Sequence, residues 1–210
     1  MSKVLLFWSS GKDSAMAYQR LLESGFTVAA LVTTTRPDGI IPFHEVPLEA
    51  VVNQARAIGL PLWRLPLPHP CPNTLYENLV GELLRQARQQ GFTHVAFGDL
   101  FLNDIRSYRT QLVEKYGLVP LFPIWLEVPE TSRSYARSVI QSGIQAVITS
   151  VDETRLPAQL RGRPYDEAFL QDLPADIDPA GEYGEFHTFV WGAPFFSFSV
   201  SPSFLSLRAG

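Results

Sequence analysis

Residues 3–14 read KVLLFWSSGKDS. Val4–Trp8 is an unbroken apolar run, the pattern of a strand buried on both faces of a parallel sheet. Ser9–Ser14 interrupts it, and Met16, Ala17, Leu21 and Leu22 then recur at helical spacing until Gly25. Thr27–Thr33 (TVAALVT) is a second strand of the buried type. The chain therefore opens strand, loop, helix, strand, a crossover expected to be right-handed. The loop combines hydroxyls, a glycine and a lysine. Gly11 lets the backbone come close to a ligand, the first amides of the helix point at an anion, and Lys12 adds a point charge. It is not a Walker loop, because Leu6 and Asp13 stand where that pattern needs Gly and Ser or Thr. An ordinary strand-to-helix turn is the structural alternative.

The alternation continues outward. A helix is expected from Pro47 to Ile58, stopped by Gly59, followed by an extended Pro61–Leu67. A long helix runs from a cap at Asn73 or Thr74 through Gln90, with Leu75, Leu79, Leu83, Leu84 and Ala87 on one face. Thr93–Phe97 is a strand ending in Gly98-Asp99, Asp104–Tyr116 a helix, and Leu118–Trp125 holds a short strand. Thr131–Ser142 and Ile144–Val151 add one more helix and strand. This is an α/β pattern built on a mostly parallel sheet with flanking helices. Pro120, Pro123 and Pro129 place a boundary, giving a nucleotide-binding domain over 1–129 and a smaller C-terminal α+β lobe over 130–210. In that lobe Phe186, Phe189, Trp191, Phe195, Phe196 and Phe198 read as a β-core, and Trp191–Pro194 as the turn of a hairpin.

Of 210 residues, 46% are hydrophobic and 18% charged, which excludes a disordered chain. The net charge of −4 argues against a protein that coats DNA or RNA. Cys71 is the single cysteine, so an intramolecular disulfide and a cysteine-rich zinc site are excluded, and His69 with Cys71 is too few ligands for a metal. No stretch approaches the ~20 apolar residues of a membrane span. A soluble, cytoplasmic protein with no membrane or DNA partner is expected.

Ser9–Ser14 (SSGKDS) is similar to the SGGKDS pyrophosphate loop of the N-type ATP pyrophosphatases, with Ser10 where glycine is usual. Gly98-Asp99 with Arg106 and Arg109, Leu160–Tyr165 (LRGRPY) and Asp178–Val190 (DPAGEYGEFHTFV) extend the likeness. Together they resemble the diphthine–ammonia ligase (diphthamide synthase) family and its bacterial and archaeal relatives, from Val4 to about Phe196.

The resemblance implies an adenine nucleotide α-hydrolase-like fold that binds ATP, with Mg²⁺ carried by the phosphates. It implies attack on the α-phosphate by a substrate carboxylate, loss of pyrophosphate, and amidation by ammonia. Ser9, Ser10, Gly11, Lys12, Asp13 and Ser14 would hold ATP. Gly98, Asp99, Arg106, Arg109, Glu182, Glu185, His187 and Thr188 would bind the acceptor or act in catalysis. Lys12 is expected to be exposed at its helix start, and the acidic loop of Glu182 and Glu185 to face the cleft and bind the acceptor, not the triphosphate. Arg106 and Arg109, three apart, share a helical face and would clamp phosphate or carboxylate. His44 and Glu45 fall near the expected place of the base. A cationic acceptor, such as the trimethylammonium of diphthine, would lie against Phe186 or Trp191.

Each of these residues also has a structural reading, as a cap, a surface ion pair or a solvated acid. No amidotransferase segment is seen, so free or partner-supplied ammonia is the expected nitrogen source. The acceptor is a carboxylate, free or on a protein. The oligomeric state is open, with a homodimer as one option. Two rival functions stand beside the ligase: an RNA-modifying thiolase with the same loop, and a non-catalytic ATP sensor.

Overall fold

A computed structural model describes residues 2–68 and 70–208, so His69 lies outside the described residues. In chain order the first part runs β1 (Lys3–Phe7), α1 (Lys12–Glu23), β2 (Thr27–Thr35), β3 (Ile40–Ile41), β4 (Val46–Pro47), α2 (Leu48–Ile58) and β5 (Leu62–Pro66). It continues α3 (Asn73–Gln89), β6 (His94–Ala96), α4 (Asn103–Glu114) and β7 (Val119–Leu121). The remainder holds α5 (Ser132–Gln141), β8 (Gln145–Val151), α6 (Glu167–Asp172) and β9 (Phe186–Gly192).

Five strands form one sheet in the order β5-β2-β1-β6-β7, and every pairing in it is parallel. Side chains along β1 alternate as a pleated strand requires. Val4, Leu6 and Trp8 join the core beneath α1 and α2, whereas Leu5 joins Leu84, Ala87 and Val113 of α3 and α4. Both faces are covered, which is why β1 reads as a continuous apolar run.

The C-terminal part adds a two-stranded antiparallel sheet, β8 with β9. Its buried Phe169, Phe186, Phe189 and Val190 belong to the same core as Trp8, Met16 and Val51. The lobe thus packs directly onto the α1 and α2 face of the large sheet. The Val190 N–H donates to the Ser10 carbonyl at 2.9 Å, tying β9 to the loop after β1.

The elements expected from the pattern are present with shifted ends: β2 runs two residues further, to Thr35, and α1 begins at Lys12, inside the expected loop, while β6 is shorter at both ends. Pro47 precedes α2 as its cap, and Gly59 closes it in the left-handed conformation at φ 80°. Three expectations are corrected. Pro72 caps α3, so Asn73 and Thr74 lie inside the helix and neither side chain caps it. Trp191 and Gly192 end β9, and among the described residues no strand follows to complete a hairpin. Phe198 is exposed, outside the β-core that Phe186 and Phe189 do join. Among the described residues no helix is long and apolar enough to cross a membrane.

Candidate functional site

A cavity of about 580 Å³ opens at the C-terminal ends of β1, β2, β5 and β6. The chain leaves β1 toward β2 and β5 on one side and later returns to β6 and β7 on the other. Open α/β sheets bind ligands at such a reversal.

The loop Ser9–Ser14 forms one wall. Ser10 is fully buried at φ 78°, left-handed backbone that glycine adopts without strain. Its carbonyl accepts from the Gln54 side chain at 3.0 Å as well as from Val190, while its hydroxyl is buried without a partner. Gly11 is extended at φ −87°, so its role is space. A Cβ there would stand 2.6 Å from Cε1 of His44. Gly98, at the end of β6, solves the same problem from the other side. A Cβ there would meet the backbone of Asp13 and Ser14 at 3.0 Å.

Lys12 is not exposed as expected; it is 2% exposed. The sequence showed only that it opens a helix, and the C-terminal lobe then covers it. Its Nζ donates to Asp13 Oδ2 at 2.8 Å and to the Ala180 carbonyl, and it lies over the rings of Tyr165 and Phe186 at 5.4 and 5.6 Å. The Phe186 face expected for a cationic acceptor is thus already taken by Lys12, and Trp191 is not among the cavity residues. The Lys12 N–H donates to Thr188 Oγ1 at 3.0 Å, so a hydroxyl of β9 caps α1 from across the lobe contact. Asp13 Oδ1 accepts from the Tyr135 hydroxyl at 2.8 Å.

Three carboxyls meet the cavity: Asp13, Asp99 and Glu182. Arg109 Nε lies 3.3 Å from Asp99 Oδ2. Burial raises the Asp99 pKa and Asp13 adds to it, against the pull of Arg109. Glu182 Oε1 accepts from the Leu100 N–H at 2.8 Å. Burial, then Asp13 and Asp99, push the Glu182 carboxyl up to about 8.

His187 also lines the cavity, with its ring centroid 4.8 Å from that of His44. The His44 Nδ1–H donates to the Thr188 carbonyl at 2.9 Å. Burial lowers both imidazoles, His44 to about 4 and His187 to about 3, so both are neutral near pH 7. Glu45 is ion-paired with Arg36 at 2.6 Å.

Four predicted residues are not among the cavity residues: Ser10 and Gly11, which lie behind the wall their loop forms, and Arg106 and Glu185, which lie elsewhere. Arg106 stacks over Trp125 at 4.4 Å and is not among the cavity residues, although it shares α4 with Arg109. Glu185 does not face the cleft as expected; it is 1% exposed and not among the cavity residues. It accepts from Arg155 at 3.2 Å and from the Asp178 and Tyr183 N–H groups, each at 3.1 Å. The chain folds 178–185 around this carboxylate, so its charge organises the loop that presents Glu182.

Sequence reasoning missed Gln54 and Tyr135. Gln54 is fully buried, accepts from Trp8 Nε1 at 2.8 Å, and donates to the Ser10 and Val190 carbonyls. Its signal was a polar residue three and four places after Val51 and Ala50, on the apolar face of α2. Tyr135 left no signal, being one more apolar-face residue of α5. Cys71, distant from the loop in sequence, lines the same cavity. Among the described residues no group of three acidic, histidine or cysteine side chains forms a metal position.

Family models match nearly the whole chain: diphthamide synthase N-terminal domain over residues 2–120 and diphthamide synthase C-terminal domain over residues 131–202. No curated protein matches it.

Proposed function

The chain belongs to the diphthamide synthase family, and from that premise we propose an ATP-dependent ligase that adenylates a substrate carboxylate and amidates it with ammonia. The observation that carries the reading is the SSGKDS loop opening α1 into a cavity closed from above by the 181–188 segment. Loop amides and Lys12 would hold the triphosphate. The acceptor carboxylate attacks the α-phosphorus, the bond to the β-phosphate breaks, and pyrophosphate leaves with the electron pair. Ammonia then attacks the acyl carbon and AMP departs. We assign the proton that ammonia loses to Glu182, a cavity carboxyl whose pKa near 8 suits a base at neutral to mildly alkaline pH. Asp99 and Arg109 stand on the β6 side, where an acceptor would enter. Catalysis would rest on positioning and charge stabilisation. With no group of three protein ligands among the described residues, Mg²⁺ would arrive on the triphosphate and neutralise its charge there.

The test begins with calorimetric titration of MgATP. Lys12→Ala should weaken binding about ten- to hundredfold. Because Lys12 is buried, a melting curve must accompany it to show that the variant is folded. Phosphorus NMR with ammonium and a panel of carboxylic acids, a diphthine-bearing peptide included, should then show AMP and pyrophosphate. ADP as the sole product would rule the mechanism out, and ATP binding without turnover of any acid would favour a sensor. The second reading, sulfur transfer to RNA, is favoured by one observation: Cys71 lines the cavity. A sulfur-bearing RNA product would establish it.

A further inference from the structure

Asp13 poses a problem for an anion site. Its carboxylate lines the cavity beside Lys12, with the side chain 24% exposed. A triphosphate seated on the loop would meet that negative charge at short range. In this structure Lys12 answers the charge, its Nζ donating to Oδ1 at 3.1 Å and to Oδ2 at 2.8 Å. Once Lys12 turns to a phosphate, Asp13 loses that partner.

A second donor comes from the C-terminal part of the chain. Tyr135 stands on α5, 122 residues from Asp13, and its hydroxyl donates to Asp13 Oδ1 at 2.8 Å. Among the described residues, Lys12 and Tyr135 are the only hydrogen-bond donors to this carboxylate. The ring of Tyr135 is buried in the core with Ala136 and Val139, which fixes where the hydroxyl stands. Burial first, and then the charge of Asp13, raise the hydroxyl well above its ordinary pKa, so it keeps its proton and remains a donor. Tyr135 is not itself among the cavity residues, so it would act on a ligand through Asp13 alone.

We propose that Tyr135 is a positioning residue of the phosphate loop: its hydroxyl holds and partly neutralises Asp13, which frees Lys12 to leave that carboxylate for the triphosphate. This role rests on the nucleotide reading above. Without the phenol, an Asp13 deserted by Lys12 would be an unpaired carboxylate beside an anion. A hydrogen bond to a charged group is strong enough for its loss to be read as about tenfold in affinity. The phosphate site is then a product of both parts of the chain, since Asp13 falls within residues 2–120 and Tyr135 within residues 131–202.

The experiment titrates MgATP and inorganic tripolyphosphate by calorimetry into the full chain, into Tyr135→Phe, into Asp13→Asn and into the double variant, each with a melting curve to show that it is folded. Tyr135→Phe keeps the ring and should lose about tenfold for both ligands. Asp13→Asn removes the charge that needs an answer, so adding Tyr135→Phe to it should cost less than twofold. A merely structural tyrosine would cost the same in both backgrounds. Equal losses in the two backgrounds therefore overturn the role, as does unchanged affinity in a folded Tyr135→Phe. A loss confined to MgATP also overturns it, by placing the effect beyond the phosphates. Asp13→Asn by itself, which leaves Tyr135 in place, should bind tripolyphosphate at least twofold more tightly than the wild-type chain. Weaker binding would show that the carboxylate helps to hold the anion, and would overturn the role even if Tyr135→Phe did not fold. Failure of the wild-type chain to bind either ligand removes the nucleotide reading, and this role with it.

Discussion

Ser10 combines two costs at one position: a left-handed backbone at φ 78° and a buried hydroxyl with no partner. A left-handed β-carbon costs about 1–2 kcal/mol, part of which glycine gives back as greater freedom in the unfolded chain. Ser10→Gly should therefore stabilise the protein by about 1 kcal/mol, raising the melting temperature by about 2–4 °C for a chain of this size. Differential scanning calorimetry checks it, and a lower melting temperature would show that the hydroxyl has a role the backbone argument omits. Glu185 teaches the converse. An acid in a glycine-containing loop suggests solvent, yet three donors surround this one and it is buried. The acid of this loop that lines the cavity is Glu182, three residues earlier.

Among the elements, α2 is decisive through one residue. Gln54 links Trp8 at the end of β1, the Ser9–Ser14 loop and β9 by three buried hydrogen bonds. Leucine at this position has similar volume but leaves the Trp8 Nε1–H and the Val190 carbonyl unmatched. At about 1–3 kcal/mol for each orphaned group, Gln54→Leu should cost about 2–4 kcal/mol. Urea denaturation measures this directly, and a loss below about 1 kcal/mol would mean that the lobe contact is held by apolar packing alone. The same contact explains Thr188. Its hydroxyl caps α1 at Lys12, and its carbonyl accepts from His44. A strand of the second sheet therefore sets both the loop and one ring of the cavity wall.

For the whole molecule, buried titratable groups give stability a maximum. His44 and His187 titrate near 4 and 3 when folded, against an ordinary value of 6.5. Below pH 6.5 the unfolded chain binds their two protons and the folded chain does not, so stability falls as pH falls. Glu182 acts in the opposite sense. Its folded value near 8 exceeds the ordinary 4.5, so the folded chain binds the extra proton and stability falls as pH rises from 4.5 to 8. Between 4.5 and 6.5 the two histidine protons outweigh the single carboxyl proton; above 6.5 the carboxyl acts alone. Asp99, raised by burial, acts in the same sense as Glu182, and His94, lowered by burial, in the same sense as His44. At about 1.4 kcal/mol per proton per pH unit, the free energy of unfolding should peak near pH 6.5 and drop by about 2 kcal/mol by pH 8. Glu182→Gln should flatten the alkaline side and keep the acidic one. Urea titrations at pH 5, 6.5 and 8 decide it. A wild-type chain no less stable at pH 8 than at 6.5 would mean that Glu182 ionises as an ordinary acid.

The parallel sheet, the SSGKDS loop and the family were legible in the local pattern of residues. Strands buried on both faces must be apolar throughout, helices must repeat their apolar face, and a loop packed tightly against its neighbours must keep glycine where a Cβ would collide. Those signals are local, and Val4–Trp8, Gly11 and Gly98-Asp99 carried them. The partners of each polar side chain were settled only by the tertiary structure. Lys12 was legible as a lysine at a helix start, but its burial depends on Ala180 and Phe186, more than 160 residues away. Arg106 and Arg109 share a helix and a spacing, yet Arg109 reaches the cavity and Arg106 the Trp125 ring. Glu182 and Glu185 differ only in which one the turn at Gly184 directs inward. Hydrogen bonding and desolvation act through space, so the roles of these side chains appear only once the second sheet has closed over the first.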